Sequence, residues 1–152
     1  MSASLLLAGL IGLVSACGNE ATPIPITGGG TLDCGTFQTS VNSIFDQNLG
    51  GRTCSASGCH TVFGSAGGAF KVYPNALPNT VEMQANYLSA KGMANLNDPS
   101  QSKLLLEPLA GAQSIVGSHT GGDIFGSTSD TNYGVILGWI STQVPGPSAC
   151  FP

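Results

Sequence analysis

The stretch Cys54-Ser55-Ala56-Ser57-Gly58-Cys59-His60 predicts the chemistry of this protein and the kind of fold that surrounds it. Two cysteines lie close together, and a histidine directly follows the second. Thiols arranged in this way can add across the two vinyl groups of haem, and the adjacent imidazole can then ligate the iron. The sequence therefore predicts one covalently attached haem, held by Cys54 and Cys59, with His60 as the proximal ligand.

The spacer between these cysteines has four residues, whereas the common attachment motif has two. Its residues are small, so the spacer can bulge and still let both thiols reach the vinyl groups, and Gly58 allows a positive φ just before Cys59. Two other interpretations stay open. Cys54 and Cys59 can form a local disulfide with His60 on the surface. Alternatively, these residues can belong to a zinc site, although only one further histidine is present and no second close cysteine pair completes four ligands.

The composition favours one folded domain of modest size. The 152 residues include four Lys and Arg against eight Asp and Glu, which gives a net charge of −4. The few basic residues form no patch for phosphate groups, so nucleic acid is not an expected partner. Since 41% of the residues are hydrophobic and few are charged, we expect a compact domain rather than a disordered chain.

The N-terminal segment has the features of a signal peptide. Leu5 to Val14 is an apolar run of signal-peptide length, too short to span a membrane. The sequence then reads Val14-Ser15-Ala16-Cys17, which resembles the lipobox of bacterial lipoproteins. The resemblance implies that residues 1–16 are removed and that Cys17 carries a lipid, and Gly18 at the next position favours the outer membrane. A simple secretory signal, with Cys17 incidental, is the alternative.

Counting the five cysteines leaves one pair for a disulfide. Cys17 is assigned to lipid, and two more cysteines are assigned to haem. Cys34 and Cys150 remain at the two ends of the proposed domain, and we expect them to pair in an oxidising compartment. Residues 17–33 contain Pro-rich and Gly-rich stretches and are interpreted as a flexible, lipid-anchored tether; residues 34–152 are the predicted haem domain.

The fold class predicted from periodicity is mainly α, with about four short helices and long Gly-rich loops. Apolar residues at helical spacing predict helices at 35–48, 80–92 and about 131–142. A short helix is expected after Asp98, which can cap it, with Pro99 at its first position.

The same spacing predicts which helix faces are buried. In the helix at 80–92, the apolar stripe consists of Val81, Ala85 and Leu88. In the last helix, Gly134 and Gly138 are four residues apart, which is expected to admit a closely packed neighbouring helix.

These pieces together resemble a c-type cytochrome, and more specifically the bacterial cytochrome domains of the planctomycete type. That family's order is a helix, the haem motif, a loop-rich middle and a closing helix. The matching stretches lie within about residues 36–142 and are Ser40–Phe45, Asp98–Leu106, His119-Thr120-Gly121-Gly122 and Tyr133–Ile140. The resemblance implies a cytochrome c-like fold around a single haem c.

The sixth ligand of the iron is predicted from the same resemblance. The related domains place a histidine in a His-Gly-Gly-like segment, which favours His119 as the distal ligand and bis-His ligation with His60. Met93, Met83 or an open sixth position are the alternatives. Arg52 is a candidate partner for a haem propionate, and a solvated surface arginine is the other interpretation.

Electron transfer without catalysis is the function that the sequence favours. Two protein ligands leave no iron position for a substrate, so the chain is expected to carry single electrons between redox proteins, in the periplasm or at the outer membrane or cell surface. One alternative is a haem enzyme or gas sensor with an open or displaceable sixth ligand. The other is a haem-free secreted lipoprotein held by disulfides.

Overall fold

The computed structural model describes residues 30–64, 67–111, 119, 121–146 and 150–151. Within this part, the chain forms four helices and a small two-stranded sheet, which confirms the mainly α prediction. The predicted signal peptide, Cys17 and most of the predicted tether lie outside the described residues. Among the residues that the structure describes, no helix has the length and hydropathy needed to cross a membrane.

The first helix, α1, precedes the segment Cys54–His60, which is the predicted haem motif. It consists of Cys34–Thr36, a π-helical segment Phe37–Val41 and Asn42–Asp46. Asp33 caps it by accepting a hydrogen bond from the main-chain nitrogen of Thr36 at 2.6 Å, and hydrogen bonding from Thr36 lowers the pKa of this carboxyl. Both halves of the helix bury apolar side chains, namely Phe37, Val41, Ile44 and Phe45.

The second helix, α2, spans Val81–Gly92 and begins at Thr80, whose hydroxyl accepts a hydrogen bond from the nitrogen of Met83 at 3.2 Å. The predicted apolar stripe of this helix is wrong. Val81 and Leu88 are 66% and 57% exposed. The helix instead buries Met83, Asn86, Tyr87 and Ala90.

Polar side chains decide which face of α2 is buried. The Tyr87 hydroxyl donates to the carbonyl of Leu32 at 2.7 Å. The Asn86 amide binds both main-chain groups of Tyr73, accepting from its nitrogen at 2.6 Å and donating to its oxygen at 3.0 Å. Because these polar groups find partners inside the protein, burying them costs little, and apolar periodicity alone does not detect this.

The third helix, α3, is a single turn at Lys103–Leu106, preceded by a 3-10 turn at Pro99–Gln101. Asp98 directly precedes the 3-10 turn, but its side chain makes no capping hydrogen bond there, so the predicted cap is wrong. The Asp98 carboxylate instead accepts a hydrogen bond from the Ser100 hydroxyl at 2.6 Å. The carboxylate is thus hydrogen-bonded to a nearby side chain and not to a main-chain nitrogen of the turn.

The last helix, α4, spans Thr131–Ser141 and begins at Asp130, whose carboxylate accepts from the first free main-chain nitrogens. The prediction that Gly134 and Gly138 admit another helix is wrong. Both glycines are exposed, and a Cβ at either would meet no atom within 4 Å. The face that α4 buries consists of Tyr133, Ile136, Trp139 and Ile140.

The two ends of the domain are joined twice. Strand β1, Gly30–Leu32, pairs antiparallel with strand β2, Gln143–Pro145. The predicted disulfide is confirmed, since Cys34 and Cys150 are bonded across a sequence separation of 116. The tether predicted at 17–33 therefore includes residues that belong to the folded domain, because β1 finds its hydrogen-bond partner only near the other end of the chain.

The core forms where α1, α2 and α4 meet around the ring of Phe37. Its centroid lies 5.5 Å from that of Tyr87 and 5.2 Å from that of Trp139. The Trp139 indole also donates to the carbonyl of Asp33 at 2.8 Å, which joins α4 to the start of α1. These contacts hold α1 in place, and α1 supports the start of the predicted haem motif.

Candidate functional site

The loop that carries the two cysteines closes on itself. The main-chain nitrogen of His60 donates to the carbonyl of Cys54 at 3.0 Å, and the nitrogen of Ser55 donates to the carbonyl of Phe45 in α1 at 3.0 Å. Residues 56–58, between these anchored ends, are exposed. The four-residue spacer therefore bulges outward, while its two ends stay close together.

The positive φ that Gly58 allows is not used in the structure. Gly58 does not have a positive φ, and a Cβ there would meet no atom within 4 Å. Two turns close the loop instead: the nitrogen of Ala56 donates to the carbonyl of Thr53 at 3.1 Å, and the nitrogen of Cys59 donates to that of Ala56 at 2.9 Å. Ordinary backbone angles are sufficient for these turns, so no glycine is needed at this position.

Cys54 and Cys59 are not linked to each other, although Cys34 and Cys150 are. Burial raises the pKa of the Cys54 thiol to about 11. The local disulfide that the sequence left open is therefore not formed in this structure.

The zinc interpretation also lacks support. Across the described ranges, no group of three or more His, Cys, Asp or Glu side chains is close enough to bind a metal ion. A structural zinc site needs four such ligands in a tetrahedral arrangement.

The His60 ring is held in one tautomer. Its Nδ1 atom lies 3.0 Å from the carbonyl oxygens of both Gly67 and Phe70. A carbonyl oxygen can only accept, so Nδ1 carries the proton and Nε2 keeps its lone pair. Burial lowers the pKa of His60, which keeps the imidazole neutral at pH 7. A neutral imidazole with a free Nε2 is the form that binds a metal.

A short ladder of main-chain hydrogen bonds keeps these carbonyls in place. The nitrogen of Val72 donates to the carbonyl of His60 at 2.8 Å, and the nitrogen of Val62 donates to that of Val72 at 3.0 Å. The Phe70 ring lies beside the imidazole, with 4.9 Å between the ring centroids. Residues 67–72 therefore run back alongside the segment Cys54–His60 and orient the His60 ring.

His119 lies in a tight turn that fixes its ring in the same way. The nitrogen of Gly122 donates to the His119 carbonyl at 2.7 Å, and the His119 Nδ1 atom lies 2.9 Å from the Gly122 carbonyl oxygen. Nδ1 is therefore again the protonated nitrogen. A Cβ at Gly121 would lie 2.9 Å from Cε1 of His119, so the ring occupies space that only a glycine leaves open.

The structure brings His60 and His119 together. Their ring centroids are 5.9 Å apart and their planes differ by 6°. Two imidazoles that bind one metal from opposite sides, with bonds of about 2 Å and a ring radius of about 1 Å, have centroids about 6 Å apart. Within the described part of the chain, neither Nε2 atom has a hydrogen-bond partner. The centroid separation thus matches the spacing of two imidazoles that ligate one iron.

The two methionine alternatives for the distal position have other roles in the fold. Met83 is 1% exposed and belongs to the hydrophobic core. Met93 is the C-cap residue of α2, where its nitrogen donates to the carbonyl of Ala90 at 3.0 Å and its side chain packs against the core. Neither side chain takes part in the imidazole pair.

Arg52 reaches the turn that carries His119. Its Nη1 atom donates a long hydrogen bond of 3.4 Å to the main-chain carbonyl of Asp123. A Cβ at Gly122 would lie 2.8 Å from Nε and Nη1 of Arg52, so the guanidinium lies directly against this glycine. The sequence suggests only a propionate or solvent as the partner of Arg52, because no local signal reports a contact between segments so far apart in the chain.

Comparison of the chain with protein-family models, with curated proteins and with solved structures finds no match. The resemblance to c-type cytochromes therefore depends on the motifs of this sequence alone.

Gly67 and Gly68 offer a test of how His60 is held. Both have positive φ, so alanine at either is expected to cost about 1–2 kcal/mol of stability. A Cβ at Gly67 would also lie 2.6 Å from Nδ1 of His60, whereas a Cβ at Gly68 would meet nothing within 4 Å. We therefore expect Gly67→Ala, and not Gly68→Ala, to change the NMR signals of the His60 ring in the haem-free protein. Equal changes in both variants would contradict this steric argument.

Proposed function

We propose that this chain is a single-electron carrier in which one haem c is bonded through Cys54 and Cys59 and ligated by His60 and His119. The observation that carries the proposal is the pair of parallel imidazoles 5.9 Å apart, each with Nδ1 on a main-chain carbonyl and with no hydrogen-bond partner for Nε2 among the described residues. Hydrogen bonds of this kind orient histidine ligands in metal sites and make them more basic.

Each group at the site has a distinct task in this proposal. The thiols of Cys54 and Cys59 hold the cofactor, and the carbonyls of Gly67 and Phe70 keep the His60 ring from rotating. When bound, the haem supplies an iron that accepts and releases one electron. With the haem bound, His60 and His119 would both ligate its iron, so no iron position would be left for a substrate. This arrangement favours an electron carrier over a haem enzyme or a gas sensor.

The ligand pair also predicts a relatively low reduction potential. Methionine as an axial ligand raises the potential of a haem protein. With His119 in that position, we expect a potential lower than that of a cytochrome with His and Met ligands.

The proposed setting is outside the cytoplasm. We propose a cytochrome c-like domain that is exported and anchored to the bacterial membrane through a lipid on Cys17, at the outer membrane, in the periplasm or at the cell surface, with redox proteins as partners. The disulfide between Cys34 and Cys150 supports this setting, because such bonds persist in oxidising compartments.

Maturation of the full chain tests the proposal. Expressed with haem-attachment machinery, the wild type should carry one haem that acid and organic solvent do not extract, with the visible spectrum of a low-spin haem. The variant Cys54→Ala with Cys59→Ala is the control and should lose the covalent haem. A colourless wild type, or one with a Cys54–Cys59 disulfide, would reject the haem function. Carbon monoxide binding by the reduced wild type would favour the gas-sensor alternative.

A further inference from the structure

We propose that Arg52 is a positioning residue for the distal ligand, which holds the turn of His119 against the loop of the haem motif. The inference rests on the proposed haem function, since the position of His119 matters only if it ligates the iron. It assigns Arg52 a partner on this chain in place of the haem propionate that the sequence predicts.

The contact is made with the main chain of the turn. The Nη1 atom of Arg52 donates to the carbonyl of Asp123 at 3.4 Å, and the guanidinium covers Gly122 closely enough that a Cβ there would lie 2.8 Å from two of its nitrogens. Gly122 has a φ of +79° and its carbonyl accepts from Nδ1 of His119. Arg52 therefore touches the residue that fixes the tautomer and the orientation of the distal imidazole.

Arg52 itself is held by its own main chain. Its carbonyl accepts from the nitrogen of Leu49 at 2.7 Å, and its nitrogen donates to the carbonyl of Leu49 at 3.3 Å. The next residues along the chain are Thr53 and Cys54, so Arg52 lies two residues before the start of the predicted haem motif. Through Arg52, the loop that binds the cofactor also touches the turn that provides the second ligand.

The residues that follow the turn are attached elsewhere. The nitrogens of Ile124 and Phe125 both donate to the carbonyl of Pro108, at 2.8 and 2.9 Å, which joins this segment to the chain just after α3. Within the turn, the bonds between His119 and Gly122 are local and move with it. The contact from Arg52 adds a constraint from the segment that leads into Cys54, and so limits how far the turn of His119 can move away from that segment.

The planar guanidinium is suited to this task because it can lie flat on the glycine while one of its nitrogens donates to a carbonyl. Lysine keeps the charge but has no planar group, so it cannot make both contacts. A propionate partner, by contrast, needs mainly the positive charge. Arg52→Lys therefore separates the two roles of this side chain.

The experiment compares Arg52→Gln and Arg52→Lys with the wild type and with Lys103→Gln, which removes a positive charge from an exposed position in α3. In the haem-free full chain, hydrogen exchange at the Gly122 amide, which is bonded to the His119 carbonyl, should be about fivefold to tenfold faster in both Arg52 variants. In the matured, reduced proteins, carbon monoxide should bind measurably to both Arg52 variants, and not to the wild type or to Lys103→Gln.

Unchanged exchange and unchanged carbon monoxide binding in Arg52→Gln would overturn the inference. So would full recovery of both properties in Arg52→Lys, which would return Arg52 to the role of a charge partner. Failure of the proposed function looks different: the wild type then takes up no haem, while the exchange measurement on the haem-free chain still reports whether Arg52 holds the turn.

Discussion

Replacing His119 with alanine is expected to convert a protein that does not bind carbon monoxide into one that binds one molecule per haem when reduced. In the haem site that we propose, the distal ligand is the His119 ring, whose Nδ1 atom lies 2.9 Å from the Gly122 carbonyl oxygen, so its removal would open the sixth position of the iron. The visible spectrum of the reduced variant should change from low-spin to high-spin, and added imidazole should restore the low-spin form.

The methionine variants Met93→Leu and Met83→Leu are the matched controls, because both residues were candidates for the same position. Each should keep the spectrum of the wild type and should not bind carbon monoxide. Met83→Leu is expected to cost less than about 1.5 kcal/mol of stability, since it conserves the volume of a core side chain. An unchanged spectrum in His119→Ala, or a high-spin spectrum in Met93→Leu, would show that the distal ligand is assigned to the wrong residue.

Removing the disulfide, by replacing Cys34 and Cys150 with alanine, is expected to lower the free energy of unfolding by about 3–5 kcal/mol. The bond closes a loop with a sequence separation of 116, so it removes many conformations from the unfolded chain. A domain of this size is stabilised by only about 5–15 kcal/mol, so a large share of the total is at stake. Urea unfolding of the haem-free protein, followed by circular dichroism, measures the loss.

The control is the variant in which Cys54 and Cys59 are replaced by alanine. It also removes two thiols, but those thiols are not linked in the haem-free chain. Its loss of stability should be clearly smaller than that of the disulfide variant, and reduction of the wild type should reproduce the effect of replacing Cys34 and Cys150. Equal losses in the two variants would mean that thiol packing, rather than the crosslink, provides the stability.

Local features of the sequence were sufficient for most of the fold. The spacing of apolar residues predicted helices at about 131–142 and 80–92, and α4 and α2 lie there. The prediction failed where the outcome depends on a distant partner. Tyr87 turns inward because the carbonyl of Leu32 accepts its hydroxyl proton, and no local periodicity carries that information.

The candidate site shows the same division. The motif from Cys54 to His60 indicates the chemistry, because thiols and an imidazole at short spacing are a local pattern. The sequence does not show that Nδ1 of His60 meets the carbonyls of Gly67 and Phe70, or that Arg52 reaches the turn of His119. These contacts depend on how loops without regular periodicity return to the motif, and the geometry of such loops is set by the rest of the fold.

The sequence by itself determined which groups are available for chemistry, where the helices lie and which cysteines remain to crosslink the ends, because each of these depends on residue type and on spacing along the chain. Tertiary structure alone decided that two imidazoles from distant loops lie 5.9 Å apart with parallel planes, and that the Arg52 guanidinium contacts the turn of His119. The physical reason is that distance and direction between such segments arise from packing and from hydrogen bonds made only in the folded chain.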